Sequence, residues 1–220
     1  MRNNGDGTFG ARVDYGVGNS PWGITFGDID GDGDIDVGVA NWGSGTVSLL
    51  RNNGDGTFGA RVDYGVGSNP TGIAFGDIDG DRDIDIGVTN LGSNTVSILR
   101  NNGDGTFATK VDYEVGSYPR DFAFGDIDGD GDIDIAVANQ SSNTVSILRN
   151  NGDGTFGVRV DYGVGFYPIR IAFGDIDSGY LIWRSGLDLP NYGGDVIFRM
   201  KYYRISYTNN HILWNNSKHQ

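Results

Sequence analysis

Asp28-Ile29-Asp30-Gly31-Asp32-Gly33-Asp34-Ile35-Asp36 sets a carboxylate at every second position of a nine-residue loop, with Gly33 where the chain must turn sharply. Hard oxygen donors at this spacing suit Ca²⁺. Asp28, Asp30, Asp32 and Asp36 are the expected side-chain ligands. Asp34 is expected to offer its backbone carbonyl, by analogy with other loops of this type, with water completing the shell. Without a cation, two like charges about 4 Å apart cost on the order of 4 kcal/mol at an effective dielectric near 20, so a compact loop needs one.

The loop recurs. Asp77, Asp79, Asp81, Asp83 and Asp85 keep every carboxylate but set Arg82 where Gly33 stands, which adds a Cβ and a positive charge to a tight turn and predicts weaker binding. Asp126, Asp128, Asp130, Asp132 and Asp134, with Gly131, repeat the first loop. A fourth copy stops after Asp175-Ile176-Asp177-Ser178 and is expected to be broken. Three bound Ca²⁺ would move the net charge from −13 to about −7. An EF-hand is excluded, because it needs flanking helices and a Glu where Val39 stands.

The loops belong to a larger period. Phe-Gly-Asp-Ile-Asp begins at Phe26, Phe75, Phe124 and Phe173, a spacing of 49 residues, and Arg-Asn-Asn-Gly-Asp-Gly-Thr-Phe begins at Arg2, Arg51, Arg100 and Arg149 in the same register. A fixed period near 50 marks a propeller, solenoid or array. Within one unit, residues 23–26, 35–40 and 46–50 are rich in β-branched side chains. Residues 58–64 alternate, with Phe58, Ala60, Val62 and Tyr64 on one side. Asn-Gly and Asp-Gly steps supply tight turns. The prediction is an all-β chain: a β-propeller of four-stranded antiparallel blades, about 49 residues each, with three full blades and incomplete ones beside them. Strand parity puts the Asp loops and the Asn-Asn-Gly-Asp-Gly-Thr turns on one face. The second connection of each unit and the links between units lie on the other.

These residues resemble the FG-GAP and VCBS-type repeats, related to the integrin alpha-chain propeller, through Phe9-Gly10, the loop Asp28 to Asp36, and the strand Asp36-Val37-Gly38-Val39-Ala40-Asn41. The likeness covers about residues 1–177. It implies a propeller with structural Ca²⁺ in its blade loops, in extracellular or cell-surface adhesion and recognition proteins. Val39-Ala40-Asn41 stands where the integrin pattern has Gly-Ala-Pro, so the chain is closer to the bacterial repeat. A ring of seven such blades would need more than the 220 residues present.

Composition narrows the function. Lys and Arg total 16 against 29 Asp and Glu, which opposes nucleic acid as a partner. No apolar run is long enough to span a bilayer, and any secretion signal would lie outside this chain. Cysteine is absent. The repeats contain no His, and each of their loop Asp residues has a copy in another unit, so an enzyme is not expected. Variation between units clusters in the interblade links and the second connections, which nominates Trp22, Trp42, Tyr118, Arg120 and Tyr167 for recognition of a protein or glycan. The expected function is a Ca²⁺-binding adhesion or recognition module. The alternatives are a structural spacer or fragment of a larger secreted protein, or the non-catalytic part of a propeller enzyme.

Residues 178–220 depart from the repeat. Codons for Asp-Leu-Ala-Val-Gly read one base later give Ile-Trp-Arg-Ser-Gly, the sequence of residues 182–186, so the tail reads as a frameshifted continuation. An authentic capping element with strands near Leu181 and Val196 is the alternative. His211 and His219 are expected at the surface.

Overall fold

The structure, a computed structural model, describes residues 3–174, 180–185 and 196–199. The described residues form strands and turns with no helix. The first sheet runs β1 (Pro21–Gly27), β2 (Asp36–Asn41), β3 (Thr46–Leu50) and β4 (Val62–Gly65), each strand antiparallel to the next. The second repeats it with β5 (Pro70–Gly76), β6 (Asp85–Asn90), β7 (Thr95–Leu99) and β8 (Val111–Glu114). The third comprises β9 (Pro119–Gly125), β10 (Asp134–Asn139), β11 (Thr144–Leu148) and β12 (Val160–Gly163). These are three full propeller blades. A fourth sheet has three strands, β13 (Pro168–Gly174), β14 (Tyr180–Ser185) and β15 (Val196–Arg199).

The first strands of the blades contact one another in the order β1, β5, β9, β13 and so form the inner wall. The core lies between blades rather than within one. Val47, Leu49 and Ile29 of the first blade pack with Ile86, Val88 and Leu99 of the second, and Val96 and Ile98 of the second pack with Phe122, Ile135 and Val137 of the third. The period-2 alternation of a strand explains this. In β10, Ile135 and Val137 face the preceding blade while Ala136 and Ala138 face the following one. Small residues on that second side leave room for an incoming ring: a Cβ on Gly38 would lie 2.6 Å from Cζ of Phe75, and one on Gly87 2.5 Å from Cζ of Phe124. On the first blade the equivalent incoming face, with Ile24, Phe26 and Ile35, is exposed.

A buried polar chain ties the three outer strands of each blade. Asn41 Nδ2 donates to Ser48 Oγ at 2.8 Å, and Ser48 Oγ donates to Asp63 Oδ1 at 2.7 Å. Asn90, Ser97 and Asp112 repeat it, as do Asn139, Ser146 and Asp161. The hydroxyls and the Nδ2 groups each find a partner, whereas Oδ1 of Asn41 and of Asn139 is buried without one.

Two expectations need correction. The outer strand is shorter than residues 58–64: Phe58 makes only an isolated bridge to Asn52, and β4 starts at Val62, which is 47% exposed. Phe58 instead meets Tyr15 of the preceding repeat edge to face, with ring centroids 5.2 Å apart, and Tyr64 meets Phe107 likewise at 5.4 Å. Residues 9–15, which the repeat register makes an orphan fourth strand, form no strand beyond the isolated bridge of Phe9 to Asn3, since the described residues supply no third strand for them to pair with. Tyr15 and Val17 still pack against Val37, Val39 and Leu50.

Five residues separate β13 from β14 where eight separate β1 from β2, too few for the nine-position loop. The fourth loop, Asp175 to Ser178, expected to be broken, lies outside the described residues, as do the histidines and most of the tail.

Candidate metal centre and the opposite face

Each Asp loop folds around its own first carboxylate. Asp28 accepts the amides of Gly31, Asp32 and Gly33 at 2.8, 3.1 and 2.9 Å, and Asp32 accepts the Asp34 amide at 2.8 Å. In the later blades Asp77 accepts the amides of Gly80 and Arg82, and Asp126 those of Gly129 and Gly131. The turn requires positive φ at its sixth position. Gly33 has φ 91° and Gly131 φ 99°, and Arg82 is held at φ 80°, a conformation that strains a residue with a Cβ.

Three carboxylates converge in each loop, with one oxygen from each lying within 4.8 Å of the others: Asp28, Asp30 and Asp32; Asp77, Asp79 and Asp81; Asp126, Asp128 and Asp134. Oδ2 of the third-position residue is balanced by an arginine from the β3–β4 type of turn, as in Arg51 with Asp30 at 3.4 Å and Arg100 with Asp79 at 3.3 Å. The other oxygen is not balanced. Oδ1 of Asp30 and Oδ1 of Asp79 are buried with no hydrogen-bond partner. A buried carboxylate oxygen without a donor is costly. Three converging carboxylates, one with such an oxygen, fit a hard divalent cation.

The ninth-position carboxylates do a second job. Asp36 accepts the Ile29 amide at 3.0 Å and the Asn52 amide at 2.7 Å, pinning the loop to the neighbouring turn; Asp85 and Asp134 repeat this. All three are buried, and burial raises their pKa values, that of Asp85 to about 6. Asp36 and Asp85 stand outside the three-oxygen groups, although a carboxylate keeps lone pairs beyond two amide bonds. The side chains of Asp34, Asp83 and Asp132 lie against the turns at Gly54, Gly103 and Gly152, where an added Cβ would meet their Oδ2 at 2.9, 3.0 and 3.1 Å. That leaves their backbone carbonyls as the groups able to serve a cation.

The loops also join blades. Arg51 donates to the Asp104 carbonyl of the next blade at 3.0 Å, and Arg100 donates likewise to Asp153. Loop and turn therefore share one face. The other face holds the links and second connections, since Trp42 and Gly43 donate their amides to Ser20 and Asn19, each at 3.0 Å. On that face Trp22, Arg120 and Tyr167 line one cavity of about 700 Å³, whereas Trp42 and Tyr118 do not. Gln140, the counterpart of Trp42 at the variable second connection, also lines it, as do Asp121 and Arg170, which were not singled out from sequence. A signal was available: Asp121 and Arg170 occupy the repeat position of Gly23 and Gly72. Asp121 accepts the Ile171 amide at 3.3 Å, and burial raises its pKa against the lowering influence of Arg170.

The FG-GAP-like repeat profile matches residues 28–88, 81–137 and 126–178. The chain belongs to the FG-GAP-like repeat family. No curated protein sequence matches it. Among solved structures, Kuenenia stuttgartiensis hydrazine synthase is similar at 16% identity and TM-score 0.55, over 86% of this chain and 49% of that one. BBS1N, in its complex with ARL6DN, is similar at 14% identity and TM-score 0.54, over 77% of this chain and 52% of that one. A catalytically inactive virginiamycin B lyase from Staphylococcus aureus, crystallised with quinupristin, gives 16% identity and TM-score 0.50, over 84% and 71%. This FG-GAP-like chain spans about half the length of the first two. At such identities the likeness concerns the fold alone, and that fold serves a synthase and a lyase as well as a protein complex.

Proposed function

We propose that this chain is a non-catalytic recognition module of an extracellular or cell-surface protein, in which Ca²⁺ stiffens the blades from one face and a protein or glycan is bound on the other. The observation that carries the metal reading is the unpartnered, buried Oδ1 of Asp30 and of Asp79 inside a group of three carboxylates. Asp28, Asp30, Asp32 and Asp36 would hold the first ion with the Asp34 carbonyl. Asp77, Asp79, Asp81 and Asp85 with Asp83, and Asp126, Asp128, Asp130 and Asp134 with Asp132, would hold the second and third. The ion supplies positive charge that cancels carboxylate repulsion, and the chain's own Arg51 and Arg100 carry that order across to the next blade.

The Ser–Asp pairs of the blades, such as Ser48 with Asp63, have buried serines that tie strands together and lie outside the cavity, which supports binding over catalysis. A net charge of −13 disfavours nucleic acid, and among the described residues no helix is long and apolar enough to cross a membrane. Residues 1–177 form the repeat array in this reading, and residues 178–220 are a divergent tail, either a frameshifted continuation of the fourth repeat or a capping segment. Thermal melting in millimolar Ca²⁺ and in excess chelator tests the proposal. A ligand at about 100 times its Kd stabilises by about 2.7 kcal/mol per site, so Tm should rise clearly with calcium. An identical melt in both conditions would remove the metal role.

A further inference from the structure

The cavity on the face opposite the Asp loops combines two aromatic side chains with a small set of charges. Trp22 and Tyr167 are 64% and 51% exposed, and Arg120, Asp121 and Arg170 supply the charges between them. Its volume of about 700 Å³ lies in the range of small-molecule sites. The lining carries two cations against one anion, on a chain whose net charge is −13. Arg120 is held by its Nε, which donates to Gln140 Oε1 at 2.6 Å, so its terminal amino groups are the ones able to meet a ligand.

The repeat makes this grouping informative. The inner strands are near copies, yet at two successive positions they read Trp22-Gly23, Thr71-Gly72, Arg120-Asp121 and Ile169-Arg170. The array thus becomes unlike itself where four inner strands converge on one cavity. Packing accounts for the glycines: a Cβ on Gly23 would lie 2.3 Å from the Thr71 carbonyl oxygen, and one on Gly72 2.7 Å from Thr89 Oγ1. Arg120 and Arg170 instead meet polar groups of the same cavity, Gln140 and Asp121.

Taking the recognition reading above as its basis, we infer that this cavity binds a sugar carrying a carboxylate, of the uronic-acid class. Arg120 and Arg170 meet the carboxylate, since a guanidinium matches it in a two-pronged geometry. Trp22 and Tyr167 offer flat apolar faces to the sugar ring. Gln140 and the Asp121 carboxylate exchange hydrogen bonds with hydroxyls. Asp121 argues against a run of acidic peptide residues, which it would repel, and suits a ligand with one negative group among neutral hydroxyls.

The test titrates the full chain, in millimolar calcium, with a uronic-acid disaccharide and with its neutral-sugar counterpart, by calorimetry and saturation-transfer NMR. The uronate should bind, and the neutral sugar at least about tenfold more weakly. Arg120→Met and Arg170→Met should each erase that preference, and Trp22→Ala should weaken both sugars. Unchanged Tm values in the three variants confirm that they fold. Absence of uronate binding, equal binding of both sugars, or uronate binding that survives the double arginine substitution overturns the inference. Tighter binding of an acidic tetrapeptide that R170M abolishes overturns the sugar class and leaves the recognition reading standing. A melt indifferent to calcium strikes the metal reading and leaves this cavity untouched.

Discussion

The side-chain amide of Asn101 donates to the Ile29 carbonyl at 2.8 Å, reaching from a turn of the second blade into the aspartate loop of the first. The same nitrogen donates to the Ile84 carbonyl at 3.0 Å, and Oδ1 accepts the amides of Gly103 and Gly105, each at 3.0 Å. One buried side chain therefore satisfies four backbone groups in two blades. Asn150 repeats the arrangement with Ile78 and Ile133. A cation loop and the next blade's turn are thus one mechanical unit.

Asn101→Ala should cost about 2 to 3 kcal/mol in urea unfolding, because it strands several backbone groups that stay buried. Asn52→Ala should cost under about 1 kcal/mol, since Asn52 is less buried and donates only to Ile35 of its own blade. Equal losses at the two positions would show that the contact between blades carries no stability.

Arg82→Gly should stabilise the calcium-free protein by about 1 kcal/mol, by relieving a side chain held at φ 80°. It should also tighten calcium at the second loop, by removing a cation from its rim. Chemical denaturation checks the first effect and calorimetric titration the second. A destabilised variant would mean that the Arg82 side chain contributes more than its backbone costs.

The buried ninth-position carboxylates make stability depend on pH in opposite senses with and without metal. Asp85 rises from its ordinary 3.8 to about 6, and Asp36 and Asp134 also rise, chiefly through burial. A raised native pKa means that the folded state holds its proton longer than the unfolded chain. The stabilising contribution is complete below the unfolded value and is lost as pH climbs through the folded one. In chelator, Tm should therefore fall between about pH 4 and pH 7 on account of these groups. With calcium present, which requires the ionised carboxylates, the gain in Tm over chelator should grow across the same window. Parallel melts at several pH values read both trends.

The period, the strand order and the two-faced division of loops were legible because they rest on spacing, which strand geometry turns directly into position. Arg82 was legible for the same reason, as a lone Cβ in a turn that otherwise uses glycine. What sequence did not disclose depends on contacts between repeats. Phe58 follows the alternation of a strand yet leaves it to meet Tyr15, a partner 43 residues away. Asp36 looked like a plain ligand, whereas its burial and its bonds to Ile29 and Asn52 require the following turn to fold back over it. Asp121 and Arg170 went unnoticed because they fall one position beyond the variable links, inside strands whose other residues are set by packing.

The most direct measurement is the calcium content of the intact chain, by native mass spectrometry after dialysis against micromolar Ca²⁺ and again after chelation. Three tightly held ions per chain are expected, the second loop losing its ion first, with Asp30→Asn and Asp128→Asn each removing one. A chain that carries no calcium before chelation, or whose ion count ignores both substitutions, would contradict the assignment of these loops as metal sites.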